Sequence, residues 1–224
     1  MQGFFEKAQI NAIHGQLLPE GVVDLRVLDA FKKTPRHLFF PRRLIALSYA
    51  DEAVPYVGGG FVMPPVAFAK ILQRLHVLPT DAMLFLGGGF GCEAAMAARL
   101  AASVIVLESE SAYSSSINQR FYDLGLRNAF ILNGADYMSG HPSGAPYNVI
   151  FCNSTRLYDA VPDAVVPQLA EGGRLVYFKR AAEGVASVVT VRKDAGGAMS
   201  CVHEERCHLR AIPGGDASGA RYGA

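Results

Sequence analysis

Apolar residues along the chain follow two different spacings, and each spacing predicts its own kind of element. Between residues 22 and 31 they recur at helical intervals, with Asp24 and Arg26 on the opposite side. A second helical stretch covers residues 66–75, directly after two prolines, and proline is well tolerated in the first turn of a helix. The first third of the chain therefore predicts amphipathic helices joined by proline-containing loops.

From residue 83 onward, short apolar runs alternate with helical segments. The runs predict strands at 83–86, 104–107, 129–132, 149–152 and 174–178, and the segments between them predict helices at 91–102, 112–124 and 158–169. Short apolar strands separated by helices are typical of a parallel sheet covered on both faces, so we predict an α/β fold with a doubly wound, Rossmann-like sheet. Two later runs, at 187–192 and 201–212, predict a β-hairpin at the sheet edge.

The length of 224 residues suits one domain over 1–224. We divide it into a helical N-terminal extension with loops at 1–60, an α/β core at 61–180 and a C-terminal β-hairpin at 181–212. The remaining tail, 213–224, is rich in small residues and is expected to fray.

A glycine-rich segment follows the first predicted strand and carries the clearest chemical signal. Gly87, Gly89 and Gly91 alternate with other residues, and a predicted helix begins at once. Glycine allows a sharp turn and removes the Cβ atoms that would block a ligand, while the helix start presents free N–H groups. A nucleotide-like ligand would bind there, although a tight strand-to-helix turn without a ligand explains the same glycines.

Glu108 closes the second predicted strand, about 20 residues after the first glycine, where doubly wound sites place a carboxylate on ribose hydroxyls. The alternative is an ordinary solvated acid at the start of a helix. The glycine spacing differs from the dinucleotide fingerprint, because Cys92 stands where its third glycine would fall. The segment therefore favours S-adenosyl-L-methionine over NAD.

Composition narrows the possible partners. Lys and Arg total 21 against 20 Asp and Glu, so nothing indicates binding to nucleic acid or to an anionic membrane. No apolar run is long enough to span a bilayer and no secretory signal is visible, and four thinly spread cysteines suggest a cytoplasmic protein. Cys201, His203, Cys207 and His208 cluster, but their spacing is unusual for zinc, so we expect no metal.

Several blocks in series resemble the protein-L-isoaspartate O-methyltransferase family over nearly the whole chain. They are Thr34-Pro35-Arg36-His37-Leu38-Phe39-Phe40-Pro41, Tyr49-Ala50-Asp51, Leu124-Gly125-Leu126-Arg127-Asn128, Ala135-Asp136, Ala145-Pro146-Tyr147-Asn148-Val149-Ile150 and Gln168-Leu169-Ala170-Glu171-Gly172-Gly173-Arg174-Leu175-Val176. The resemblance implies an S-adenosylmethionine methyltransferase fold in which Asp136 faces the cofactor adenine. His37 either binds substrate or caps a loop.

The chain departs from the family it resembles in its substrate loop. The family's loop reads Gly-x-Gly-Gln-Thr-Ile-Ser-x-Pro, and its Gln, Thr and Ser hydrogen-bonding groups are absent here. Here Gly59, Gly60, Phe61 and Val62 form the loop, and Met63 stands at the serine position where the resemblance implies catalysis. Two acids of the family blocks are also replaced, by Phe85 in the first strand and by Asn148 after Tyr147. The chain in these respects looks like a divergent bacterial branch.

These features lead to two hypotheses of different classes. The first is a methyltransferase dependent on S-adenosyl-L-methionine that methylates a carboxylate on damaged protein, with isoaspartyl peptides or another carboxylate as acceptor. The second is a catalytically degenerate member that keeps the fold, with or without cofactor binding, which the lost hydroxyls of the substrate loop favour. An NAD-dependent oxidoreductase is disfavoured by the glycine spacing, and the oligomeric state stays open.

Overall fold

The computed structural model describes residues 2–55, 61–108, 111–133, 137–153, 158–180 and 185–210. Its α-helices are α1 Gln2–Ala12, α2 Leu25–Lys32, α3 Pro65–Leu75, α4 Cys92–Ala98 and α5 Ser111–Asp123. None of the helices in these ranges is long and apolar enough to cross a membrane.

Local chemistry explains where two of the predicted helices begin and end. The Asp24 side chain accepts a hydrogen bond from the Arg26 N–H and caps the start of α2. Helix α3 begins with Pro65 in its first turn and ends at His76, whose φ of 44° is left-handed. Helix α3 buries every apolar position that the sequence spacing selects, and α2 buries Val27, Ala30 and Phe31 but leaves Leu25 exposed. The two predicted helices are confirmed, although α2 begins at Leu25 rather than at residue 22.

The strands form two sheets. A small antiparallel pair joins β1 Val54–Pro55 to β2 Phe61–Val62. The main sheet contains β3 Ala82–Leu86, β4 Ser103–Glu108, β5 Ala129–Asn133, β6 Tyr147–Cys152, β7 Leu169–Arg180, β8 Val185–Lys193 and β9 Met199–Arg210. Its order is β5-β4-β3-β6-β7-β8-β9, parallel as far as β7 and antiparallel afterwards. The predicted α/β sheet and the C-terminal hairpin are confirmed.

The helices are distributed unequally over the two faces of the sheet. On β3, Met83 and Phe85 pack into a cluster to which all five α-helices contribute. Leu84 and Leu86 point to the other face, whose described apolar cluster contains no α-helical residue. The 3-10 turn Asp163–Gln168 covers part of that second face. In the described part of the chain, that second face is therefore covered by a 3-10 turn rather than by an α-helix.

The prediction of a helix at 158–169 is wrong. Tyr158 forms a single bridge to Lys179, residues Asp163–Gln168 form the 3-10 turn, and Leu169 already begins β7. Proline has no N–H and clashes with the preceding helical turn, so the prolines at 162 and 167 prevent a continuous α-helix. Strand β7 is also longer than the predicted strand at 174–178. It begins at Leu169 and includes Gly172, whose φ is 70°.

Candidate cofactor and acceptor site

The candidate site lies where the order of the parallel strands reverses. Strand β3 has β4 on one side and β6 on the other, so the carboxyl ends of all three meet. Gly87 follows β3 and donates its N–H to Leu107 O at 2.9 Å, while the Asn153 N–H bonds Leu86 O at 2.9 Å. Ligands of open α/β sheets bind at such a switch point.

The glycine loop, residues 87–91, adopts a backbone that requires glycine at three positions. Gly87, Gly89 and Gly91 have φ angles of 97°, 52° and 90°, a region that other residues rarely adopt. At Gly91 a Cβ atom would also overlap Ile117 Cγ2 of α5. The predicted turn is therefore present, and helix α4 begins directly after it.

Glu108 lies beneath this loop at the end of β4. Its side chain is fully buried, and Oε2 accepts a hydrogen bond from the Gly88 N–H at 2.8 Å. A Cβ atom at Gly88 would lie 3.1 Å from that oxygen and 3.0 Å from Val106 Cγ1, so glycine lets the loop approach the acid closely. A buried carboxylate under a glycine cradle fits a ligand that carries a vicinal diol.

Asn153 is a site residue that the sequence reasoning missed. It is 1% exposed at the end of β6, and its Nδ2 donates to Gly87 O at 3.2 Å. A Cβ atom at Gly89 would lie 3.7 Å from Asn153 Nδ2 and 3.8 Å from Val62 Cγ2. The glycine loop, the substrate loop and Asn153 therefore converge. A polar residue directly after a strand, the pattern that identified Glu108, was the available signal.

The described residues include only part of the predicted substrate loop and do not include the residue predicted to contact the adenine. Gly59, Gly60 and Asp136 lie outside the described residues. Phe61 and Val62 form β2 and are both buried. The Phe61 ring meets the Phe178 ring edge-on, with 6.4 Å between the centroids. This part of the loop presents an apolar surface that packs against the sheet.

Met63 is buried completely, and both its N–H and its carbonyl oxygen are hydrogen-bonded to charged side chains. Its N–H donates to Glu93 Oε1 at 3.0 Å, and its carbonyl oxygen accepts from Arg36 Nη2 at 3.0 Å. The Cys92 thiol donates to Glu93 Oε2 at 3.0 Å, and burial together with the Glu93 charge raises the pKa of that thiol. Arg36 and Glu93 were not singled out from the sequence. A lone acid in an Ala-rich helix was the signal for Glu93.

His37 contacts the N-terminal helix. Its ring stacks on Phe5 with 4.4 Å between centroids, and Nδ1 lies 3.0 Å from the Tyr49 hydroxyl. Burial lowers the pKa of His37 and raises the pKa of Tyr49 to about 12. These contacts join α1 to the loop that precedes β1.

The C-terminal Cys/His segment lies on β9. Cys201 is exposed and has a free thiol, and His203 lies 3.5 Å from Glu205 Oε2. The side chains of Cys207 and His208 lie outside the described residues. Elsewhere in the described ranges, no group of three or more His, Cys, Asp or Glu side chains is arranged to hold a metal ion.

Comparison with known proteins gives one family. A family model described as protein-L-isoaspartate(D-aspartate) O-methyltransferase matches residues 8–216. Curated relatives named protein-L-isoaspartate O-methyltransferase include one from Herpetosiphon aurantiacus, 32% identical over 79% of this chain and 77% of its own length. Another, from Pseudomonas syringae pv. tomato, is 33% identical over 81% of this chain and 85% of its own length.

A solved structure supports the fold. A structure titled protein-L-isoaspartate O-methyltransferase superposes with a TM-score of 0.68 at 24% sequence identity. The match covers 85% of this chain and 60% of that chain. The chain thus spans less than two thirds of that solved protein, and at this identity the likeness concerns the fold alone.

Proposed function

Because this chain belongs to the protein-L-isoaspartate(D-aspartate) O-methyltransferase family, we propose that it transfers a methyl group from S-adenosyl-L-methionine to a carboxylate of isoaspartyl residues in damaged proteins. The observation that carries the proposal is the buried Glu108 carboxylate beneath the glycine loop, at the switch point of the sheet. A protein or peptide bearing isoaspartate is the acceptor in this proposal.

The residues present fit the cofactor at its adenosine end. Glu108 accepts the ribose hydroxyls, the backbone of residues 87–91 approaches closely because its glycines lack Cβ atoms, and Asp136 is assigned to the adenine by family resemblance. When bound, S-adenosyl-L-methionine supplies an electrophilic methyl group on its sulfonium. The chain's own task is to bind this group and to align an acceptor with it.

Alignment and exclusion of water are the main contributions that this site offers to methyl transfer. An acceptor carboxylate is already ionised at neutral pH, so the transfer needs no general base. This agrees with the contacts of His37, whose ring is engaged by Phe5 and Tyr49. Correct orientation of two reacting groups can be worth about 7–11 kcal/mol. The buried Phe61 and Val62 supply an apolar wall that keeps water from the acceptor side.

The altered substrate loop is the feature that favours the degenerate alternative, and other features of the chain oppose it. Family membership extends over residues 8–216, and the glycine loop and Glu108 are in place. Loss of single donors to an anionic group typically costs about 1.5–3 kcal/mol each, which slows a reaction without abolishing it. We include in the proposal that 1–224 acts as one domain and that the protein works in the cytoplasm, as its thinly spread cysteines suggest.

The proposal is tested by methyl transfer to an aged protein that has accumulated isoaspartate. The chain is incubated with methyl-labelled S-adenosyl-L-methionine, and the label released as methanol by mild base is counted. Base-labile label identifies a carboxyl methyl ester, as the proposal expects. Label that is stable to base would indicate another acceptor atom, and no incorporation despite binding of S-adenosylhomocysteine would support the degenerate alternative.

A further inference from the structure

Two charged side chains lie buried beside the substrate loop. Arg36 and Glu93 are each 1% exposed, although burying a charge is costly unless it is paired and hydrogen-bonded. Arg36 belongs to the 3-10 turn Arg36–Leu38, and Glu93 belongs to the first turn of α4. Their hydrogen-bond partners therefore show which part of the molecule they hold.

The main chain at Met63 lies between the two charges. Glu93 accepts its N–H, and Arg36 donates to its carbonyl oxygen, both at 3.0 Å. The two partners are 30 and 27 residues away in the sequence. Hydrogen bonds to charged groups are roughly twice as strong as neutral ones. Both backbone groups of this residue are thus fixed by opposite charges.

Each charged side chain has a second partner that fixes its own orientation. Arg36 Nε donates to Ser48 O at 2.8 Å, and the Arg36 guanidinium lies 5.6 Å from the centroid of the Phe40 ring. Glu93 Oε2 accepts from the Cys92 thiol at 3.0 Å. Neither side chain can turn away from residue 63 without losing these contacts as well.

The same cluster reaches the glycine loop. The Phe40 ring, which lies under the Arg36 guanidinium, packs edge-on against Phe90 with 5.1 Å between centroids. Phe90 is part of the glycine loop, and Cys92 follows that loop directly. The buried cluster of Arg36, Phe40 and Glu93 therefore contacts both the glycine loop and Met63 at the end of the substrate loop.

We propose that Arg36 and Glu93 are positioning residues for methyl transfer, which hold the main chain at Met63 and so set the substrate loop against the glycine loop. The inference rests on the proposed function, because it assigns the acceptor to this side of the pocket. The two residues act through the backbone of residue 63. A misplacement of about 1 Å between reacting groups can cost about 100-fold in rate, so a loosened backbone affects acceptor kinetics first.

Four variants separate positioning from packing. Glu93→Met removes the oxygen that accepts the hydrogen bond of the Met63 N–H, whereas Glu93→Gln keeps a carbonyl oxygen that can accept it. Arg36→Lys keeps the charge and loses the planar fork that bridges two carbonyl oxygens. Arg174→Lys is the matched control, since Arg174 also donates through Nε and Nη2 to a backbone carbonyl, that of Leu75, near the opposite end of the sheet.

Three quantities are measured on each full-length variant: kcat/KM for an isoaspartyl peptide, affinity for S-adenosylhomocysteine, and amide hydrogen exchange over residues 61–66. Glu93→Met and Arg36→Lys should lower kcat/KM by about tenfold or more and speed exchange over 61–66, with cofactor affinity kept within about threefold. Glu93→Gln should recover most of the loss. Arg174→Lys should lower Tm without these changes.

Different results would overturn the inference. Unchanged exchange over 61–66 in Glu93→Met and Arg36→Lys, a parallel fall in cofactor affinity, or equal kinetic losses in Arg174→Lys would show that the charges only pack. If Glu93→Met fails to fold, Arg36→Lys supplies the same comparison, because Arg36 binds the carbonyl oxygen of the same residue 63. If the unmodified chain does not methylate the peptide, the proposed function fails, and hydrogen exchange still decides whether Arg36 and Glu93 hold the main chain at Met63.

Discussion

The carboxylate of Glu108 accepts from the Gly88 N–H and, in the proposed complex, also from the ribose of the cofactor. Glu108→Ala should therefore weaken binding of S-adenosylhomocysteine by about 1–3 kcal/mol, or roughly 5-fold to 150-fold, as titration calorimetry would measure. Glu20→Ala serves as a control, because Glu20 forms an exposed ion pair with Lys70. Unchanged affinity in a folded Glu108→Ala protein would show that the ribose is held elsewhere.

The side chain of Met63 is a packing group as well as the residue at the family's serine position. Since it is fully buried, Met63→Ser should lower the free energy of unfolding by about 2–5 kcal/mol, the range for truncating a buried methionine. Met63→Leu conserves volume and should cost less than about 1.5 kcal/mol. Denaturant unfolding measures both values. Equal stability of the serine variant would mean that this side chain does not fill the core.

Two polar side chains of the family blocks make hydrogen bonds that could not be known from the sequence. Asn148 stands where the resemblance implies aspartate, and its Oδ1 accepts from the Ala82 N–H at 2.9 Å. Asp51 accepts from the Val66 N–H in the first turn of α3 at 3.1 Å. Both partners are distant in the sequence, so only the folded chain identifies them.

Among the elements, the glycine loop makes the strictest demand on residue type. Gly91→Ala should lower the free energy of unfolding more than Gly125→Ala, although both glycines have positive φ. At Gly125 a Cβ atom meets nothing within 4 Å, so only backbone strain of about 1–2 kcal/mol applies. At Gly91 overlap with Ile117 adds about 1–3 kcal/mol. Thermal or denaturant unfolding tests this order, and equal losses would contradict the close approach of α5 to the loop.

The elements that could be predicted are those defined by local pattern. The strand, glycine loop and following helix are contiguous in sequence, and Glu108 follows from its place at the next strand end. The prediction of a helix at 158–169 is wrong because Pro162 and Pro167 interrupt a stretch whose apolar spacing is helical. The backbone contacts of Met63 were out of reach, since they join segments 27 and 30 residues apart.

At the scale of the whole molecule, the packed helices and the candidate ligand-binding residues lie at different places on the sheet. The helices that are described pack on one face, where α2 and α3 meet the cluster that also contains Met63 and Phe85. The glycine loop, Glu108 and Asn153 gather at the carboxyl ends of the central strands. The acidic position of the family's first strand is filled by Phe85, whose ring packs 5.0 Å from that of Phe151.

The central claim is that this chain methylates isoaspartyl carboxylates, and a matched pair of peptides tests it most directly. The two peptides share one sequence and differ only in whether one residue is isoaspartate or normal aspartate. We predict that labelled methyl groups from S-adenosyl-L-methionine are transferred to the isoaspartyl peptide, with kcat/KM at least about 100-fold above that for the aspartyl peptide. Equal turnover of both peptides, or no transfer to either by protein that binds S-adenosylhomocysteine, would contradict the account.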